Sequence, residues 1–463
     1  MRAISRIRRL IWTAYCMLAS VPFASAQGYS TTVPPNTALT DTACYNTVTT
    51  AVSNETVLNS IHIKTPGDIA STRAALSAQI WGTNTLPTRT VPAASIVPTI
   101  PPTANNPGNL ATNASAIYAA LTSASPSYLG TEYRLTWSLL TSPVVNSIIF
   151  EWTPKVSNGR LFIVHDGHSD DAYVPQTGVV WAKALQNTSN QITVSALLQL
   201  GYTVVWIQMP LYGDNLSFIS ASDSALFPQV DTCPNDSNPP APNLVNLSNC
   251  VYRHDGIFLN PNTWGNPWRH FIEPVIVAIN TAVSQHGPFM DITMMGASGG
   301  GWTTVLAAAI DPRITNSASV AGSLPLFFPS ANDATSCPLN RDAEQSGLLG
   351  QAGLLYGNVS YLDLYIMAAN GTDPNGVHRR HMQINNQFDT CCFFGINFLG
   401  YVPTLSGYIA KNSLGNYKYY LNTTFVGHAY DLGYLNGVAV SNKTLGTVRQ
   451  IPAVTIILNS LVH

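Results

Sequence analysis

Charged side chains are scarce in this chain. Only 10% of its 463 residues are Asp, Glu, Lys or Arg, and the formal net charge is −2. Nucleic acids and anionic membrane surfaces are bound through clusters of Lys and Arg, so we expect neither as a partner. The same shortage of basic side chains argues against a polyanionic substrate.

Long apolar runs are also few, and the clearest one lies near the N terminus. Four arginines precede an apolar stretch over residues 10–23, and small residues follow at positions 24–26. This pattern is typical of a secretory signal peptide spanning residues 1–26. A membrane anchor is the weaker alternative, because a spanning helix needs ~20 apolar residues and Pro22 interrupts this shorter stretch. We therefore predict a secreted protein, extracellular or periplasmic, with no integral membrane segment after signal cleavage.

Cysteine is infrequent, with seven in the chain, of which Cys16 lies in the predicted signal peptide. The other six form an even set, as expected for disulfides in an oxidising compartment. They are Cys44, Cys233, Cys250, Cys337, Cys391 and Cys392. We predict that Cys233 and Cys250 close a local loop, and free structural thiols are the alternative.

Composition divides the mature chain into an extension and a main domain. Residues 27–130 are rich in Thr, Pro and Asn and lack sustained periodicity, which indicates an irregular N-terminal extension. A helical pattern from Ile69 to Ile80 indicates that part of it packs on the core. Residues 131–463 form the main domain. Its long insertion at about 212–269 is a candidate cap.

Strand and helix patterns alternate through the main domain. Strands are predicted at 133–139, 147–152, 161–164 and 203–207, and helices at 191–200 and 271–283. This alternation predicts an α/β fold, in which helices cover both faces of a mostly parallel central sheet. Reactive side chains are then expected in loops at the carboxyl ends of the strands.

A glycine-rich turn around Ser298 is the strongest chemical signal. The run Gly296-Ala297-Ser298-Gly299-Gly300 lies between an apolar strand and a helix-like segment, at 292–295 and 302–310. A sharp strand-to-helix turn exposes a serine hydroxyl to a base, and flanking glycines relieve the crowding that such a turn creates. The pattern therefore predicts a nucleophile elbow. A Gly/Ser loop that matches by chance is the alternative.

The loop His165-Asp166-Gly167-His168 follows another buried strand. A backbone N–H of Gly167 or His168 can stabilise an oxyanion there, together with the N–H of Gly299. A rival interpretation takes His165 and His168 as metal ligands with Asp170 and Asp171. The third interpretation of this loop is a solvated turn with a buried histidine.

A serine nucleophile needs a base and an orienting acid, and two residues at strand ends fit those roles. His428 follows a strand-like run at 419–426, and Asp389 follows one at 382–388, beside two cysteines that can pin its loop. Asp363 competes as the acid. However, Ser360 and Asp363 are spaced as a capping box, which gives Asp363 a structural role instead.

The order of Ser298, Asp389 and His428 resembles that of the α/β-hydrolase superfamily, over roughly residues 130–435. The resemblance implies the α/β-hydrolase fold, placing this chain near the secreted serine esterases and lipases. It further implies an acyl-enzyme on Ser298, with His428 as base and Asp389 orienting it, and no cofactor. The loop at His165 departs from the family's usual His-Gly-Gly-Gly motif.

The substrate is specified less well than the mechanism. Predicted secretion and low charge favour a small-molecule or polymeric carboxylic ester. Tyr212, Trp264 and Trp268 are tentative pocket residues, and Phe393 and Phe394 are weaker ones; ordinary core packing is the alternative for each. Three other functions stay open: a serine peptidase of the same superfamily, a non-catalytic secreted binding protein, and a metal-dependent hydrolase.

Overall fold

A computed structural model describes much of the main domain and parts of the N-terminal extension. The described residues are 30, 42–48, 50–91, 96–98, 129–138, 146–168, 197–198, 200–210, 258, 266–328, 343–346, 355–373, 376 and 378–428. Outside them lie the predicted signal peptide, nearly all of the 212–269 insertion, and the predicted Cys233–Cys250 pair. Within these ranges, no helix has the length and apolar character needed to cross a bilayer.

Nine strands in the described part of the chain form one sheet, in the order β1-β2-β3-β5-β4-β6-β7-β8-β9. They are β1 Ile96–Pro98, β2 Leu129–Ser138, β3 Asn146–Pro154, β4 Leu161–His165, β5 Thr203–Ile207, β6 Ile292–Ala297, β7 Asn316–Val320, β8 Arg380–Phe388 and β9 Asn416–Val426. Every pairing from β5 to β9 is parallel, whereas β1, β2 and β3 extend one edge in antiparallel fashion. The predicted α/β fold with a mostly parallel sheet is confirmed.

Seven α-helices with both ends in the described ranges accompany the sheet. They are α1 Asn54–Asn59, α2 Pro66–Trp81, α3 Pro267–His286, α4 Gly299–Ile310, α5 Ala343–Ser346, α6 Tyr361–Ala369 and α7 Val402–Lys411. Every residue of β4 through β7 is buried, which requires cover on both faces of the central sheet. Helix α4 is also buried throughout, because it packs between the sheet and other helices.

The N-terminal extension contributes directly to this core. Helix α2, which the sequence predicts, begins with a Thr65/Asp68 capping box. Arg73 on this helix donates from Nε to the Ala309 carbonyl at 2.9 Å and from Nη2 to the Met367 carbonyl at 3.2 Å. Strand β1, which the sequence does not predict, adds an edge to the sheet. The domain boundaries themselves stay predictions.

Strand β7 was missed because its sequence is polar. It reads Asn-Ser-Ala-Ser-Val, yet all five residues are buried between β6 and β8. Two of its polar side chains form hydrogen bonds: Ser317 Oγ lies 2.8 Å from His381 Nδ1, and Asn316 Nδ2 donates to Thr293 Oγ1 at 3.4 Å. Pairing with two neighbouring strands, rather than hydrophobic periodicity, therefore makes this segment a strand.

Burial of His381 predicts acid-dependent loss of stability. Burial lowers the pKa of this histidine from 6.5 to about 3, and the charge of Arg379 adds to the effect. The unfolded chain binds this proton below pH 6.5 while the folded chain does not, so the stabilisation is present above pH 6.5 and is lost as pH falls. The group contributes a slope of about 1.4 kcal/mol per pH unit.

We expect the unfolding free energy of His381→Asn to depend less steeply on pH between 6.5 and 4 than that of the wild type. Urea denaturation across this range measures both slopes. Equal slopes would contradict this account of His381.

Candidate active site

Ser298 occupies a strained turn between β6 and α4. Its backbone angles are φ 54° and ψ −127°, a left-handed conformation that is rare for a residue with a side chain. The turn is held at both ends: the Ser298 N–H donates to the Val320 carbonyl at 2.9 Å, and its carbonyl accepts from Trp302 N–H at 3.0 Å. Such strain is typical of a nucleophile elbow.

Close backbone contacts explain the glycines around this turn. A Cβ added to Gly296 would lie 2.1 Å from the Gly300 carbonyl oxygen, and one added to Gly300 would lie 2.3 Å from that of His165. At Gly301 the corresponding distance to the Val320 oxygen is 2.7 Å. Real Cβ atoms do not come this close to backbone, so these positions require glycine for the observed packing.

The loop after β4 lies directly against the serine. A Cβ on Gly167 would be 2.5 Å from the Ala297 carbonyl oxygen and 2.7 Å from Ser298 Cβ. The Gly167 N–H donates to Asp166 Oδ1 at 3.1 Å. The His168 ring also reaches to within 2.8 Å of the position that a Cβ on Gly299 would occupy. The structure thus brings four of the predicted site residues together: Gly167, His168, Ser298 and Gly299.

The two histidines of this loop have different surroundings. His165 is fully buried and its Nδ1–H donates to the Asp166 carbonyl at 2.7 Å. Burial lowers the pKa of His165 to about 4, so the ring is neutral at pH 7. His168 is partly exposed, and its Nε2 lies 3.2 Å from Oε1 of the buried Glu344. Glu344 lies on α5 and carried no recognisable signal in the sequence.

These contacts bear on the metal interpretation. Asp170 and Asp171 lie outside the described residues, and His165 and His168 contact different oxygen partners. In the described ranges, the group with metal-ligand spacing is Cys391, Cys392 and His428, whose ligand atoms lie within 4.8 Å of one another. The two sulfurs are joined as a disulfide and His428 is paired with a carboxylate, so this group is not arranged as a thiolate metal site.

Asp389 and His428 form a hydrogen-bonded pair. His428 Nδ1 lies 2.8 Å from Asp389 Oδ2, and the aspartate side chain is fully buried while the imidazole is 17% exposed. The other oxygen of the carboxylate, Oδ1, accepts from the N–H groups of Cys391 at 2.7 Å and Cys392 at 3.0 Å. Both oxygens of this buried acid therefore have donors, as a stable buried carboxylate requires.

The loops carrying this pair are tied to each other. The Gly427 N–H donates to the Phe388 carbonyl at 3.1 Å, and Asn386 Nδ2 donates to the Gly427 carbonyl at 3.0 Å. Phe393 also stacks on the His428 ring, with centroids 6.2 Å apart. The ends of β8 and β9 thus hold acid and imidazole in a fixed relation.

The sheet brings these groups to one edge. Ser298, Asp389 and His428 follow the parallel strands β6, β8 and β9, with β7 between the first two. Parallel strands lie ~4.8 Å apart, so about two strand spacings separate the end of β6 from the end of β8, and one separates β8 from β9. The competing acid Asp363 lies elsewhere: it forms the predicted capping box with Ser360 and contacts His62 Nδ1 at 2.7 Å.

The tentative pocket residues are less well supported. Trp268 has no exposed surface, and its ring lies 4.8 Å from that of Trp302, so it belongs to the packing of α3 on α4 rather than to an open pocket. Phe393 and Phe394 are also buried. Tyr212 and Trp264 lie outside the described residues. Met209, at the end of β5, was not predicted, although its Cε approaches Gly299 closely.

Comparisons with known proteins give weak similarities to several hydrolases. A scan against protein-family models and a search of curated proteins each find no match. Solved structures with similarity include a putative dienelactone hydrolase from Klebsiella pneumoniae, at 13% identity and TM-score 0.34, covering 69% of this chain and 100% of that one.

An acetyl xylan esterase from Paenibacillus sp. R4 has 16% identity and TM-score 0.37, with 70% of this chain and 90% of that one covered. An acylaminoacyl peptidase from Pyrococcus horikoshii has 12% identity and TM-score 0.36, with 68% of this chain and 40% of that one covered. Since all three scores are below 0.5, the case for the chemistry rests on the contacts around Ser298.

Replacing Gly167 tests whether the loop contact shapes the site. In Gly167→Ala the methyl group would meet the Ala297 carbonyl and Ser298, so the loop must move away from the serine. Displacements of about 1 Å can cost 100-fold in rate. We expect a loss of at least that order in kcat/KM for hydrolysis of a carboxylic ester, the substrate class that the sequence predicts.

The matched control is Gly407→Ala on α7, where an added Cβ meets nothing within 4 Å. We expect wild-type activity and a stability change of less than ~1 kcal/mol. Full activity in Gly167→Ala would show that the loop contact does not matter for turnover.

Proposed function

We propose that the protein is a secreted serine hydrolase of the α/β-hydrolase superfamily that cleaves a carboxylic ester. The observation that carries the proposal is the contact of 2.8 Å between Asp389 and His428, on the same sheet edge as the strained Ser298 turn. A buried carboxylate paired with an imidazole, on the sheet edge that also carries the half-buried Ser298, supports nucleophilic acyl transfer.

In the proposed mechanism, Ser298 Oγ attacks the ester carbonyl while His428 Nε2 takes the hydroxyl proton. Asp389 accepts the hydrogen bond from His428 Nδ1–H, which fixes the tautomer and stabilises the imidazolium as it forms. His428 then returns the proton to the leaving alcohol, and an acyl-enzyme remains on Ser298. A water molecule, activated by the same imidazole, releases the acid.

Backbone N–H groups stabilise the oxyanion in this proposal. Gly299 follows the nucleophile and supplies one donor, as in other nucleophile elbows. For the second donor we favour His168 over Gly167, because the Gly167 N–H is already engaged with Asp166 Oδ1. The contact between His168 and the buried Glu344 would hold the loop while this donor acts.

The substrate class follows from charge and predicted location. The chain has few charged residues, and its predicted signal peptide supports a location outside the cytoplasm. We therefore propose an uncharged small-molecule or polymeric ester as substrate. The catalytic roles proposed for Ser298, His428 and Asp389 require no cofactor.

A fluorophosphonate tests the proposed nucleophile. We expect the wild type to gain one covalent adduct, located on Ser298 by intact mass and peptide mapping, and Ser298→Ala to gain none while folding normally. Hydrolysis of p-nitrophenyl esters but not of peptide anilides is the expected selectivity.

Other outcomes would identify another function. Folded wild-type protein that forms no adduct would contradict a serine mechanism, and chelator-sensitive activity would then point to a metal-dependent hydrolase. Preference for anilides would indicate a peptidase.

A further inference from the structure

Two consecutive cysteines next to the acid form a disulfide bond. Cys391 and Cys392 are joined to each other, two and three residues after Asp389. Both of their backbone N–H groups donate to the same oxygen, Asp389 Oδ1, at 2.7 and 3.0 Å. The disulfide therefore lies within the loop that fixes the proposed acid.

The orientation of Asp389 depends on this double contact. With Oδ1 held by two N–H groups, Oδ2 is directed at His428 Nδ1 at 2.8 Å. A disulfide between neighbouring residues closes a small ring that includes the peptide bond joining them, which restricts the backbone torsions on both sides. Opening this ring would let the two N–H groups turn away from the carboxylate independently.

The bond also lies close to the imidazole. The two sulfurs and a ring nitrogen of His428 lie within 4.8 Å of one another, and Phe393, the next residue, stacks on the His428 ring. Cys391 is partly exposed, whereas Cys392 is buried. A small reductant can therefore reach the bond from the Cys391 side.

We propose that the Cys391–Cys392 disulfide is a positioning element for Asp389, and that its reduction lowers turnover. This inference rests on the proposed function. A soluble dithiol supplies two electrons and two protons: the S–S bond breaks, Cys391 and Cys392 become thiols, and the dithiol is oxidised to its own cyclic disulfide. The change at the acid is conformational, because no bond to Asp389 is made or broken.

The test compares steady-state ester hydrolysis by the oxidised wild type, the wild type in dithiothreitol, and Cys391→Ser/Cys392→Ser with and without dithiothreitol. We expect reduction to lower wild-type kcat by roughly tenfold to hundredfold, in line with loss of precise alignment. KM should stay within about twofold, since the disulfide does not bind substrate in this account. Replacing the reductant with oxidised glutathione, which takes up the two electrons and two protons and becomes two glutathione thiols, should re-form the bond and restore kcat.

The double variant Cys391→Ser/Cys392→Ser is the matched control. It should have the low kcat of the reduced wild type and should not respond to dithiothreitol. This control is needed because Cys44 is also disulfide-bonded. If dithiothreitol lowers the kcat of the double variant further, that decrease comes from reduction of the Cys44 disulfide.

Two outcomes would overturn the proposal: unchanged kcat in wild type whose Cys391–Cys392 bond is shown by mass to be open, or a lower unfolding temperature with unchanged kcat. Fluorophosphonate labelling separates this failure from failure of the proposed function. If oxidised wild type is labelled on Ser298 and kcat survives reduction, only the positioning role is wrong. If oxidised wild type is not labelled, the serine mechanism itself is wrong.

Discussion

The site depends on close backbone contact between the Ser298 turn and the loop after β4. Gly300 packs against the His165 carbonyl, and Gly167 packs against Ser298. Both contacts are so close that neither position has room for a Cβ atom. Because β4 and β6 are paired neighbours, this contact holds the strained serine backbone and the proposed oxyanion donors together. The stability of the surrounding sheet thus supports a conformation that an isolated turn would not keep.

The part of the site that holds Asp389 and His428 is built differently. Asp389 and His428 come from strands that end in irregular pairing, and polar groups rather than packed glycines fix them. Backbone donors from the Cys391–Cys392 segment take one oxygen of the buried carboxylate and the imidazole takes the other. Because hydrogen bonds from the disulfide segment hold Asp389, opening that disulfide is expected to disturb the acid more than the glycine-packed turn at Ser298.

Much of this arrangement was predictable from the sequence because its signals are local. Glycine spacing predicted the sharp turn at Ser298, and strand patterns predicted that Asp389 and His428 follow the ends of two strands, as they do. Strand β7 was not predictable, since its Ser and Asn side chains show no apolar alternation and its burial comes from neighbours distant in sequence. Glu344 was missed for a related reason: only the folded chain brings α5 to His168.

The most direct test of the central claim is the rate at which Ser298 is acylated when the acid is changed. In single-turnover experiments with an activated ester, Asp389→Asn should acylate about 10³- to 10⁴-fold more slowly than wild type, because the imidazole loses its orienting anion. Asp363→Asn, which alters the capping aspartate instead, should acylate at the wild-type rate. Wild-type acylation in Asp389→Asn, with loss in Asp363→Asn, would contradict the assignment.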